Sequence, residues 1–371
     1  MRTPHPNTSP VRVSAAVMTH PRRSRDAERV ASHTGLSPTE LAPDPEPDGP
    51  PTALRAARVA FAAAERHDTT HHLVLQDDVR LAGDFAATVR HYLDAHPDAA
   101  VSFFVEWGSR TATLARWAVF TGAGAVPVVN PYVPTVALAL PRTVSAGLAR
   151  FLAEEGRPDQ PDDREVLRHV HRTGTRALVA VPNPVEHDEL PSLVGNAGHG
   201  ARRSVCFSDT AAPSPATSLL EPPRALPHLN WTTGETGLID LEHDVPEAHV
   251  PLEQALARWG ADADRTAHAL SASAGSALAR LVPRPRLDAV WRTAAANGAV
   301  LEGRWPGVVG GLRRRLDEAP VERALATLVP GALRALVDVC ALEEHRSEVV
   351  RLTLDALEFG AEHCPAPKEA L

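Results

Sequence analysis

Asp77 and Asp78 stand side by side directly after the apolar run Leu73-Val74-Leu75 and the polar Gln76. Adjacent carboxylates repel unless a cation compensates them. Hard divalent ions such as Mg²⁺ or Mn²⁺ take oxygen ligands and keep positions open for diphosphate oxygens. The pair suits a nucleotide-diphosphate ligand, and it equally suits a solvated junction between strand and loop. A second pair, Asp162 and Asp163, opens a stretch of helical periodicity. Acids there complement the positive end of a helix dipole. Arg22 and Arg23 offer guanidinium donors to phosphate oxygens. Asp44, in a proline-rich segment, is either a nucleobase acceptor or a turn former. Trp107-Gly108-Ser109-Arg110 joins an aromatic face to a glycine, as a pocket wall or as packed core.

These groups can act together only if the fold gathers them, and open α/β sheets bind ligands outside the carboxyl ends of their strands. Residues 11–18 read as a buried strand, followed by the loop His20-Pro21-Arg22-Arg23 and a helix near 26–33. The prolines of residues 43–51 exclude regular structure. Thr52 caps a helix running to about Arg66, and residues 72–75 form a strand that ends at the acid pair. A helix at 84–96, strands at 100–105, 126–129 and 135–140, helices at 143–155 and 163–173, and a strand at 177–181 continue the alternation. That order predicts an α/β domain over residues 1–207 with a mostly parallel sheet. Residues 208–227, rich in Ser and Pro, read as a linker. Apolar stripes at helical spacing then predict a separate α-helical domain over 228–371.

A length of 371 residues exceeds the roughly 250–300 at which one core usually stops growing, which supports two domains. The net charge of -8 comes from dispersed residues without a basic block, so nucleic acid is not an expected partner. Cys206, Cys340 and Cys364 lack CxxC spacing, which suits a reducing compartment. The opening residues hold no apolar signal segment, and no run approaches the roughly 20 residues of a membrane span. A cytoplasmic protein is expected. His71-His72 and His169-x-His171 do not match structural zinc spacing, and there is no G-x-S-x-G nucleophile elbow.

Leu73-Val74-Leu75-Gln76-Asp77-Asp78-Val79 resembles the strand and acidic motif of GT-A fold glycosyltransferases. Its order along the chain strengthens the likeness. Residues 13–19 resemble the first nucleotide-binding strand, and Pro161-Asp162-Asp163-Arg164-Glu165 resembles the acidic segment before a helix. Val181-Pro182-Asn183-Pro184-Val185-Glu186-His187 is similar to the Pro-x-x-Val-x-His ending of several such families. The likeness covers about residues 11–207 and implies a Rossmann-like GT-A domain. It further implies Mn²⁺ or Mg²⁺ at Asp78, with Asp77 and His187 assisting, and a catalytic base at Asp163 or Asp162 that would produce inversion. Arg22, Arg23, Asp44, Asp77 and Arg202 would hold the nucleotide, Arg202 from the glycine-rich loop 195–203. Gln76 departs from the pattern, standing where many relatives carry an acid. The expected activity is transfer of a sugar from a nucleotide-diphosphate donor, a UDP-sugar foremost, to an unidentified acceptor. Two alternatives stand beside it: a degenerate binding or scaffold protein, and a nucleotidyltransferase. The helical segment would dock a protein partner, form a homodimer, select the acceptor or merely cover one face of the α/β domain.

Overall fold

Among the described residues, nine short strands lie in the first half of the chain, and their residue types explain their burial. In chain order they are β1 (Val13–Thr19), β2 (Thr39–Pro43), β3 (His71–Leu75), β4 (Val79–Leu81), β5 (Ala100–Ser102), β6 (Ala125–Pro127), β7 (Ala137–Pro141), β8 (Ala177–Ala180) and β9 (Val185–His187). They belong to a computed structural model describing residues 10–191, 193, 195–209, 216–242 and 250–370. Seven strands form one mixed sheet in the order β2-β1-β3-β7-β5-β8-β6. β1, β2, β3, β5 and β8 run one way, and β6 and β7 run against them.

Helices cover both faces: α1 (Ser24–His33), α2 (Leu54–Ala62), α3 (Phe85–Ala95), α4 (Arg110–Thr121), α5 (Arg142–Glu154) and α6 (Asp162–Thr173). Side chains alternate across a strand. Val13, Ala15 and Val17 of β1 therefore join a core with Val30 of α1 and Phe85 and Tyr92 of α3. Ala16 and Met18 join a second core with Phe61 of α2, Phe151 of α5 and Val166 of α6. A strand buried on both faces has no polar alternation, which is why β1 reads as a continuous apolar run.

α4 has no counterpart in the sequence reading. Every residue of Thr111 through Phe120 is buried, so its periodicity is masked. Ser109 starts it by accepting from the Ala112 backbone N–H at 3.2 Å, and Gly122 in the left-handed region ends it. The expected strand over 100–105 is shorter, as is the one over 135–140, which begins at Ala137.

The remainder of the chain is mainly helical but not wholly so. β10 (Ala225–Leu229), β11 (Thr236–Asp240) and β12 (Val250–Pro251) form a three-stranded antiparallel sheet, which corrects the expectation of helices alone. The helices that follow are α7 (Leu252–Arg258), α8 (Ala263–Ser273), α9 (Ser276–Leu281), α10 (Arg284–Arg304), α11 (Val308–Leu312), α12 (Ala319–Ala326), α13 (Leu328–Leu333), α14 (Val339–Glu344) and α15 (Arg346–His363). This region packs directly on the first half. One continuous apolar cluster runs from Leu114 and Trp117 of α4 and Val126 of β6 to Trp291 and Leu301 of α10 and Leu354 of α15. The outer face of α4 is apolar and has to be covered, and these helices cover it. Arg116 of α4 ties the two parts polarly, donating to the carbonyls of Ala324 (3.2 Å), Thr327 (2.9 Å) and Trp107 (2.8 Å).

Within the expected linker, residues 210–215 lie outside the described residues. The rest is anchored: Gly124 N–H donates to Ser218 O at 3.0 Å, Leu220 N–H to Ala125 O at 2.8 Å, and Leu220 is buried. Among the described residues no helix is long and apolar enough to cross a membrane.

Candidate functional site

A cleft of about 900 Å³ opens at the carboxyl ends of β1 and β3. Its walls include Arg22, Arg23, Asp44, Asp77, Asp78, Asp162, Asp163, His187 and Arg202, so every residue singled out for donor, metal or base is brought to one place. β1 delivers His20 and the two arginines, β3 delivers the acid pair, and the first turn of α6 delivers Asp162 and Asp163. β4 and β9 pair antiparallel with Val79 opposite His187, and Asp188 N–H donates to Asp78 O at 2.8 Å. This ribbon sets the imidazole beside the acid pair.

The acid pair is already compensated. Arg23 Nη1 donates to Asp77 Oδ1 at 3.1 Å and to Asp78 Oδ2 at 2.9 Å, and Nη2 donates to the Pro191 carbonyl. All three side chains are largely buried, which gives these charge-assisted contacts weight. Burial first, and the neighbouring Asp78 second, push the Asp77 carboxyl above its usual range, against the pull of Arg23. His187 Nε2 lies 3.5 Å from Asp78 Oδ2 and 3.0 Å from Arg202 Nη2. Burial, reinforced by Arg202 against the pull of Asp78, lowers the imidazole's affinity for a proton. Among the described residues, Asp78 Oδ1 and His187 Nδ1 are buried without a hydrogen-bond partner. Such atoms ask for a ligand or a water.

Asp44 is bonded by its own loop and by the helix that follows it. Arg55 Nε donates to Oδ1 and Nη2 to Oδ2, both at 2.9 Å, and Glu46 N–H adds a third bond at 3.0 Å. The carboxylate is a clamp that organises the proline-rich loop along the cleft. Arg22 is exposed at the cleft wall.

The two acids of α6 divide in role. Asp162 is buried, is held by Thr135 and by backbone N–H groups of its own helix end, and has its proton affinity raised by burial. Asp163 is only partly buried, and burial, with the repulsion of Asp162 added, pushes its carboxyl up to about 7. A carboxyl that titrates near neutrality in a cleft is suited to taking and giving protons.

Residues the sequence reading passed over complete the walls. Tyr132, from the loop between β6 and β7, bonds Ser109, and burial raises its hydroxyl pKa. Arg334, just beyond α13, is buried at the cleft wall, ion-paired with Glu106 and stacked 3.8 Å from the centre of the Trp231 ring. Burial lowers its pKa to about 9. The left-handed Gly200 lets the loop carrying Arg202 lie against this wall, since a Cβ there would meet the Arg334 carbonyl oxygen at 2.1 Å. Arg334 lies 228 positions beyond Glu106, a separation no local pattern bridges. Trp107 is packed core, as one of its two readings had it: it is buried and its Nε1 donates to Ala201 O at 2.9 Å.

The expected Mn²⁺ or Mg²⁺ ligands do not assemble into a fitting set. Asp77 is held by Arg23 and the Nε2 lone pair of His187 faces Arg202, which leaves Asp78 Oδ1 and, on the far side of the imidazole, His187 Nδ1 without a partner among the described residues. Among the described residues no three of His, Cys, Asp and Glu are grouped to hold a metal ion. Compared with families of known proteins and with curated proteins, the chain matches none.

Proposed function

We propose that this protein transfers a sugar from a nucleotide-diphosphate donor to a hydroxyl acceptor. The observation that carries the reading is Asp163, a carboxyl tuned to about 7 in the cleft that also holds Arg23 and Arg202. The mixed sheet with its acid pair after β3 supports a GT-A-like nucleotide-sugar fold. In the proposed step the acceptor oxygen forms a bond to the anomeric carbon as Asp163 takes its proton. The bond from that carbon to the diphosphate oxygen breaks, and the electron pair leaves on the phosphate, where guanidinium donors stabilise it. Attack opposite the leaving group inverts the anomeric centre. A reducing, cytoplasmic setting fits the unpaired Cys206, Cys340 and Cys364.

Nucleotide release from a panel of UDP-, GDP- and TDP-sugars, with and without simple acceptors, tests this reading. Turnover abolished by Asp163→Asn with nucleotide binding retained supports it, and absence of nucleoside diphosphate binding sinks it. One observation favours a second reading, a binding or scaffold protein: Arg23 already bridges the acid pair with a positive charge. Donor turnover by the isolated protein would remove that alternative.

A further inference from the structure

We infer that this site holds a nucleoside diphosphate without a divalent cation, with Arg23 and Arg202 in the place a metal ion would take. The inference rests on the donor-binding reading above and deepens it.

Two contacts carry it. Arg23 Nη1 bridges the carboxylates of Asp77 and Asp78, at 3.1 and 2.9 Å, where a cation shared by the acid pair would sit. Arg202 Nη2 lies 3.0 Å from His187 Nε2. Arginine only donates, so Nε2 accepts, and the lone pair a metal would need is spent. An ion ligated by Asp78 Oδ2 and His187 Nε2 would therefore compete with two guanidinium groups for the same atoms. It would also sit within a few ångströms of two positive charges in a partly buried site, where repulsion is weakly screened.

The same contacts prepare the arginines for phosphate. Each guanidinium carries five N–H donors in a planar fork. Arg23 is anchored by the acids and by the Pro191 carbonyl, and Arg202 by His187. Arg23 spends three of its five donors on protein, two from Nη1 and one from Nη2, and Arg202 gives one from Nη2 to His187; both side chains line the cleft. The acids thus orient an arginine, and Gln76 follows naturally. A third acid at that position would add negative charge that no metal offsets.

Calorimetric titration of the full chain with UDP, GDP and TDP, in EDTA and then in Mn²⁺, tests the inference. The expected result is binding of at least one nucleotide in EDTA, with less than a threefold change on adding Mn²⁺. Arg23→Ala and Arg202→Ala should each weaken binding in EDTA by tenfold or more, and Arg23→Lys should recover part of it. Arg23→Ala should also bind Mn²⁺ alone more tightly than the unaltered chain, because the acid pair is released. Circular dichroism of each variant establishes that it folds, and the comparison within the unaltered chain does not depend on any variant. Nucleotide binding that requires Mn²⁺, or tightens tenfold with it, overturns this inference and leaves the donor reading standing. Absence of binding in both conditions overturns both.

Discussion

Arg202 Nη2 lies 3.0 Å from His187 Nε2, and because arginine has no acceptor the imidazole keeps its proton on Nδ1. The loop at 195–203 and the β4–β9 ribbon are thereby joined through a neutral histidine.

That neutrality has a pH signature. Burial depresses the His187 pKa below its ordinary 6.5, so on acidification the unfolded chain takes up the proton first. The folded state therefore loses stability as pH falls below about 6.5 and through the lower folded value. His72, lowered to about 4 by burial, acts in the same direction. Melting temperature should drop between pH 6.5 and 5 with a steeper slope than in His187→Gln, which keeps an acceptor and cannot titrate. Equal slopes would show that His187 carries no part of the acid sensitivity.

Asp163 has the opposite sign. Its folded pKa of about 7 lies above the ordinary 3.8, so deprotonation costs stability as pH rises between those values. Asp163→Asn removes that cost, and at pH 8 it should stabilise the fold by on the order of 1–2 kcal/mol after allowance for solvent screening. The same variant should lose turnover. In the unaltered chain, turnover should rise with pH through an apparent pKa near 7. A variant that melts lower at pH 8, or a flat pH profile, would contradict this assignment.

The shared core predicts that the two halves do not fold apart. A chain ending at Asp209 would expose Leu114, Trp117 and Phe120, all buried in the cluster that spans both halves. It should aggregate or lose near-ultraviolet circular dichroism, and the full chain should melt in one cooperative transition by calorimetry. Two resolved transitions and a monomeric, well-ordered fragment would refute the shared core.

Two glycines allow α10 and α15 to touch backbone to backbone. A Cβ on Gly298 would meet the Leu357 carbonyl oxygen at 2.0 Å, and one on Gly360 would meet that of Ala295 at 1.7 Å. Gly→Ala in a helix ordinarily gains up to about 1 kcal/mol, but here overpacking should reverse the sign and cost about 1–3 kcal/mol at either position. Gly310, exposed in α11 with open space around its Cβ position, is the control, and Gly310→Ala should stabilise by about 0.5–1 kcal/mol. Urea midpoints of the three variants decide this.

Much of the sheet was legible because its elements carry local signals. β1 and β3 are short apolar runs ended by polar residues, and α5 and α6 carry one apolar face each. α4 was not legible, since a helix buried on all sides shows no stripe. β10 and β11 were missed because Pro227 and Gly237 break the pattern expected of strands. The site was legible as a set of residues, since strand ends and helix starts mark where a sheet binds ligands. Their partners were not legible, because Arg55 on Asp44 and Arg23 on the acid pair depend on side-chain directions that spacing does not contain.

Composition and order along the chain determined an α/β architecture, a charged cleft at the ends of β1 and β3, and the acids that line it. Local periodicity and strand termini are enough for that, because they follow from each residue's near neighbours. Only the tertiary structure decided which cation the acid pair faces, that the C-terminal helices share a core with α4, and that Arg334 and Trp231 close the cleft. These are contacts between distant residues, set by how faces pack and how buried charge finds its partner.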